Sequence, residues 1–257
     1  MKALITYIAI ALIAFSAKGA TLAQQADSAY SHEQYSDAVS LYTQSLSREG
    51  RTATTYYNLA NAYYRANDLG HAVINYERAL RIDPSNEDAR VNLAFVNERI
   101  QDKPEDDTSY LTILHRNIVR LTTPNSWAAL AIIAFMLLLG AVALYIFAGN
   151  VTLRKVGFFG GLAMVVVTIY VAVVAYDSAS AISRTDEAVV TVPTTMLNSV
   201  PRAAKANEKV VPIHEGTKII IVDSIATPDD PESPMWYDVK INNSTRAWVR
   251  ATDVEKI

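Results

Sequence analysis

"YYNLANAYYRANDLGHAVINYERALRIDP", Tyr56 to Pro84, sets small Ala residues against large Tyr and Leu residues at helical spacing. Tyr56, Leu59, Ala60 and Tyr63 recur on one face of a helix. Asn67-Asp68 breaks the pattern, and Ala72, Tyr76, Ala79 and Leu80 resume it. The spacing predicts two helices joined by a tight turn, with Ala permitting close approach and Tyr filling the space between. The same residue types recur 34 positions apart: Ala26, Ala60 and Ala94, then Tyr30 and Tyr64, Ala38 and Ala72, Tyr42 and Tyr76, Leu46 and Leu80. A fixed period of that length marks a repeated supersecondary unit. The tyrosine cluster is therefore read as inter-helix packing and not as a cofactor box.

The residues Tyr56, Leu59, Ala60, Tyr63, Ala72, Tyr76, Ala79 and Pro84 resemble the tetratricopeptide repeat. The preceding unit, about 19–52, keeps Ala26, Tyr30, Tyr35, Ala38 and Tyr42. It departs at Gln25, in an apolar position, at Ser45, in place of the second small residue, and at Glu33, where the turn usually carries Gly. Glu87–Ile100 keeps Leu93 and Ala94 but has no second helix of the pattern. The expectation over 24–101 is an all-α solenoid of two repeats and a capping helix. The resemblance implies a concave face, built from the first helix of each repeat, that binds an extended peptide or another protein. On this chain those positions are Tyr57, Asn61, Tyr64, Arg65 and Asn92. Asn pairs with both polar groups of a peptide backbone, and Tyr supplies flat contact area at little entropic cost. For each residue taken singly, a solvated face without a ligand is the alternative.

Apolar residues make up 51% of the 257, but they are unevenly spread. Lys2 followed by the apolar run 3–15 and the small residues Thr21-Leu22-Ala23 reads as a signal peptide over 1–23, with an uncleaved N-terminal anchor as the alternative. Two charge-free runs, 127–147 and 156–176, are each long enough to cross a hydrocarbon core of roughly 30 Å at about 1.5 Å per residue. Arg154 and Lys155 in the short loop 148–155 place that loop on the cytoplasmic side, and both larger parts outside. Neither run holds an ionisable residue, which argues against transport. Gly157 and Gly161 form a G-x-x-x-G that suits close helix contact, the first span being the default partner. Between repeats and spans, 102–126 reads as an acidic, mobile linker and then an amphipathic helix, with Leu111, Leu114, Ile118 and Leu121 on one face, ending at Pro124. That helix is expected on the membrane surface, or alternatively as a cap on the repeats.

From Arg184 onward the period becomes two. Residues 188–192, 218–222, 236–241 and 247–250 read as strands, 242–244 as a turn and 227–234 as a loop. Gly216, Trp236, Tyr237, Val239, Trp248 and Val249 resemble the bacterial SH3-like family, which implies an all-β barrel within 177–257. The segment 197–208 departs from that family where some members bind cell-wall peptides. Peptidoglycan is therefore the partner only of a second reading, a wall sensor. Trp236 and Trp248 are expected as core or rim packing.

With no cysteine, thiolate catalysis and zinc–thiolate sites are excluded. His32, His71, His115 and His214 lack metal-ligand spacing, Asp229, Asp230 and Glu232 lack alternating calcium-ligand spacing, and no nucleotide-binding or nucleophile motif is present. No catalytic residue, metal or cofactor is expected. Residues 24–126 carry 10 basic and 14 acidic residues and 177–257 carry 9 and 12, which speaks against nucleic acid. The full order of segments resembles the BatE-type proteins of the Bacteroides aerotolerance (Bat) operon family. It implies a multi-domain protein of the inner membrane, with periplasmic repeat and SH3-like modules. Other Bat-family membrane proteins would be its partners, in envelope or oxidative-stress tolerance. An envelope assembly factor is a further alternative.

Overall fold

The computed structural model describes residues 20–103, 109–203, 208, 210–227, 235–241 and 246–257. The chain begins with five helices, α1 (Leu22–Ser31), α2 (Tyr35–Arg48), α3 (Ala53–Arg65), α4 (Leu69–Ile82) and α5 (Glu87–Asn97). Polar residues start most of them. Thr52, Asp68 and Asn86 each accept a hydrogen bond from a backbone N–H in the first turn of α3, α4 and α5. Thr21 and Gln24 form a capping box on α1, and the Leu22 and Ala23 N–H groups donate to Glu49. The segment Thr21–Ala23, read as cleavage positions, is thus the cap and first turn of α1. Ala26, Ala60, Ala72 and Ala79 are fully buried where helices touch, and Tyr42 and Tyr76 fill the space between them.

Helix α6 (Tyr110–Val119) is one turn shorter than its apolar period suggests. Pro124 does not end it but opens the next helix, α7 (Pro124–Phe147), at a position where the missing N–H costs nothing. Helix α8 (Val151–Ser183) begins in the segment read as loop and runs seven residues past Tyr176. Both are long and apolar enough to cross a membrane. Only 6% and 11% of their most apolar windows are buried by protein, whereas the core helix of a soluble protein would be mostly covered.

The C-terminal region is sheet-rich: β1 (Glu187–Val190), β2 (Thr194–Leu197), β3 (Val211–His214), β4 (Lys218–Ala226), β5 (Met235–Lys240), β6 (Arg246–Arg250) and β7 (Val254–Lys256), with a 3-10 turn at Ala251–Asp253. Five strands form an antiparallel sheet in the order β6-β5-β4-β1-β7, and β2 pairs with β3. The expected closed barrel is not found among the described residues. Closure needs a continuous ladder, but among the described residues the β2–β3 pair joins the larger sheet's backbone pairing only at the single bridge between Asn198 and Trp248, although Leu197 and Ile213 share its apolar core. The turn and loop read at 242–244 and 227–234, Thr227 apart, lie outside the described residues.

The β region is seated on the repeats. Ala188 and Val190 point into the sheet's own core with Ile219, Val239 and Val249, while Val189 packs among Val73, Tyr76 and Ile100 of the helices. Buried on both faces, β1 has no polar alternation. Gly70 lets it approach, since a Cβ there would lie 2.7 Å from the Val190 carbonyl oxygen. Arg81 donates to Glu187 at 2.9 Å and to the Arg184 and Ile257 carbonyl oxygens at 2.7 and 2.6 Å, and Arg78 pairs with Glu255 at 2.8 Å. Asp102, expected in a mobile linker, accepts from the His214 N–H at 2.6 Å and the Thr217 hydroxyl at 2.9 Å. Residues 104–108 of that linker lie outside the described residues.

Candidate functional site

The five positions selected from the repeat pattern lie near one another on α3 and α5, but their roles differ. The Asn92 side-chain amide donates to Tyr57 at 3.3 Å and to Asn61 Oδ1 at 3.0 Å, and Asn61 also accepts from the buried Tyr76 hydroxyl at 2.5 Å. Asn61 and Asn92 are therefore engaged within the fold. Burial pushes the Tyr76 phenol above its ordinary pKa, so it stays a donor. Arg65 is exposed, while Tyr64 is half-buried. The Arg65 guanidinium lies over the Tyr35 ring, 4.9 Å from its centroid.

The structure adds residues to this face that sequence reasoning missed. Tyr30 and Tyr35 meet edge to face at 5.5 Å, as do Tyr64 and Phe95 at 5.8 Å. Arg99 donates to the Tyr64 hydroxyl and lies 4.4 Å from the Phe95 centroid. The 34-residue period already linked Arg65 to Arg99 and was the available signal. Neither guanidinium has a carboxylate partner among the described residues; rings and phenolic oxygens surround both. The arrangement is an aromatic surface with two uncompensated positive charges, suited to an extended chain bearing carboxylates.

The remaining sequence candidates are placed as follows. Gly157 faces Tyr145 and Ala141 of α7, where an added Cβ would lie 2.6 Å from the Tyr145 nitrogen; Gly161 is 3.7 Å from the Ala141 Cβ by the same construction. Trp236 is fully buried, and Trp248 is half-buried at the Asn198 bridge. Three histidines pair with carboxylates across elements: His71 with Asp68 and Glu255, His115 with Asp177, His214 with Asp102. Hydrogen bonding to Asp68, opposed by burial, raises the His71 pKa above its ordinary value. No group of three or more metal-ligating side chains converges among the described residues. Asp229, Asp230 and Glu232 lie outside them.

Residues 24–87 match the tetratricopeptide repeat family. That stretch spans α1 to α4 and carries both Tyr57 and Asn61, Tyr64 and Arg65. No curated protein matches the chain with significance. The described residues thus include a repeat region, two apolar helices and a docked sheet-rich region, and the repeats point to protein–protein interaction.

Proposed function

We propose that this chain is a membrane-anchored interaction scaffold whose repeats take an extended, carboxylate-bearing segment of a partner protein. The observation that carries the reading is the pair Arg65 and Arg99, each stacked on aromatic rings and without a carboxylate partner among the described residues. Helices α7 and α8 anchor it as a hairpin. The contacts between Arg81 and Glu187 and between Asp102 and His214 require repeats and β region on the same side, as a hairpin provides. Arg154 and Lys155 at the hairpin tip assign that tip to the cytoplasm, so the docked regions are periplasmic and the membrane is the inner one. The β region is an SH3-like module that steadies the repeats, and the chain has no catalytic step. Its partners are other envelope proteins, with a Bat-type complex in aerotolerance or stress as the setting. Holding both modules together lets weak contacts add through effective concentration.

A photoreactive group at Tyr64 in intact membranes should capture a specific partner, and Arg65→Glu with Arg99→Glu should abolish that capture. Capture indifferent to both charges counts against the reading. A reporter at Asn150 should report cytoplasm; a periplasmic signal reverses the topology.

A further inference from the structure

A cavity of about 590 Å³ lies where the repeats, α6, the end of α8 and the β region meet. Six Arg or Lys side chains line it against three carboxylates, a formal excess of three positive charges. The carboxylates are already engaged. Glu187 pairs with Arg81 at 2.9 Å and Lys218 at 3.2 Å, Glu77 with Lys218 at 3.1 Å, and Asp177 with His115 at 2.9 Å. Arg116 and Arg120 are left with no side-chain hydrogen bond or ion pair among the described residues. Two buried polar atoms in the same wall, Arg90 Nε and Ser178 Oγ, also have no hydrogen-bond partner, and Ser178 is only 2% exposed. Buried donors without partners are rare enough that each calls for an explanation. Here both line one cationic cavity.

The position of the cavity narrows the ligand. The charge-free part of α8, 156–176, spans about 31 Å, close to one hydrocarbon thickness. Asp177, the next residue, is the first on α8 to line the cavity. Helix α6 turns His115, Arg116 and its C-cap residue Arg120 toward the cavity and leaves Tyr110, Leu111 and Leu114 exposed, as an interfacial helix does. Guanidinium forks match the oxygens of a phosphate, and a hydroxyl can donate to a further one.

We propose that this cavity binds a phosphate-bearing anion through Arg90, Arg116, Arg120 and Ser178, the acidic phospholipid headgroup being the source that its place at the membrane edge favours. The inference rests on the reading of α7 and α8 as membrane spans.

The full chain, purified in a neutral detergent, is melted with short-chain phosphatidylglycerol, short-chain phosphatidylcholine or inorganic phosphate. Phosphatidylglycerol is expected to raise the transition saturably, and phosphatidylcholine much less. The double variant R116Q/R120Q should bind about tenfold or more weakly, because two charge-assisted contacts are lost. Its ligand-free melting should not fall far below the parent's, since among the described residues neither side chain has a hydrogen bond or ion pair to lose and Arg120 sits near the like charges of Arg90 and Arg116. A rise with inorganic phosphate equal to that with phosphatidylglycerol supports the anion site and assigns it to a soluble phosphate compound. No rise with either anion, an equal rise with phosphatidylcholine, or a rise undiminished in the variant overturns the proposal. Alkaline extraction of cell membranes separates the two readings: release of the chain refutes the spans, whereas retention with no anion effect refutes only this site.

Discussion

The buried Tyr76 hydroxyl donates to Asn61 Oδ1 at 2.5 Å, and Asn92 donates to the same oxygen at 3.0 Å. One repeat earlier, Tyr42 donates to Asp27 at 2.5 Å and Asn58 adds a second bond at 3.2 Å. Every member of this earlier set lies 34 residues before its counterpart around Tyr76. The repeat therefore carries a polar triad that seats a buried phenol on the next helix. Asn61, which the repeat resemblance assigns to ligand contact, is part of this internal fastening.

Asn61→Ala should then destabilise the fold by about 1–3 kcal/mol, because it strands a buried hydroxyl. Adding Tyr76→Phe should recover much of the loss, since removing both partners avoids the unpaired donor. Urea unfolding of the four-member cycle measures the coupling, and simple additivity would contradict the triad.

Glu33 and Asn67 occupy equivalent turns with φ of 62° and 63°. A left-handed backbone costs a residue with a Cβ roughly 1–2 kcal/mol, and Asn tolerates it better than Glu. Glu33→Gly should stabilise the repeats by about 0.5–1 kcal/mol, while Asn67→Ala should destabilise them by a similar amount. Thermal melts that move in the opposite directions would show that these turns relax.

Gly70→Ala offers a test in which two effects have opposite signs. Helix propensity alone favours Ala by about 1 kcal/mol. The Cβ, however, would press on the β1 backbone at Val190. We expect net destabilisation and faster proteolysis between α8 and β1, and a stabilised variant would argue against the docked arrangement. Arg81→Ala should act at the same seam, at a cost of about 1–3 kcal/mol, because the Arg184 and Ile257 carbonyl oxygens and Glu187 lose that donor while Lys218 still pairs with the carboxylate.

His71 sits between Asp68 at 2.8 Å and Glu255 of β7 at 3.5 Å. Its pKa is raised in the folded protein, so its contribution is complete below the unfolded value of about 6.5 and is lost as pH rises through the folded value. Stability should fall as pH climbs across this window, and His71→Gln should flatten the slope. Glu187 acts at the other end of the scale. Burial raises its pKa, but Lys218 and Arg81 outweigh that and hold it below the ordinary value. Its contribution is lost as pH falls below about 4.

Within the helical hairpin, Gly157→Ile should separate α7 from α8, because the Cβ position overlaps the Tyr145 and Ala141 backbone. Gly160→Ile should be accepted, as nothing lies within 4 Å of its Cβ direction. Proximity crosslinking between the helices should drop in the first variant and hold in the second; equal behaviour of the two would refute the packing.

Strands β2 and β3 were not legible from alternation. They are four residues each, and Pro212 lies inside β3, where it is tolerated because the strand pairs on one side with β2 alone. Strand β4 was legible only at its start. Its register shifts between Ile221 and Asp223, which breaks the period of two and hides the rest of its nine residues. On the candidate face, Tyr57, Tyr64 and Arg65 were readable because helical spacing puts them opposite the packed Ala and Tyr residues. Phe95 and Arg99 were legible only through the 34-residue period that pairs Arg99 with Arg65, because no second helix of the repeat follows α5 to define which of its faces is free.

The chain's own order of residues determines the helical repeats, their turns and the two long apolar helices. Each of these depends on periods of 3.6 or 34 residues, or on unbroken apolar length, which neighbours along the chain express. What the tertiary structure decides is which surfaces meet. Val189 faces the helices and not its own sheet, Arg81 finds Glu187 across 106 positions, and Asp102 closes on His214 across 112. Such contacts bring together groups with no periodic relation in sequence. Their partners are selected by burial and charge only once both regions are folded.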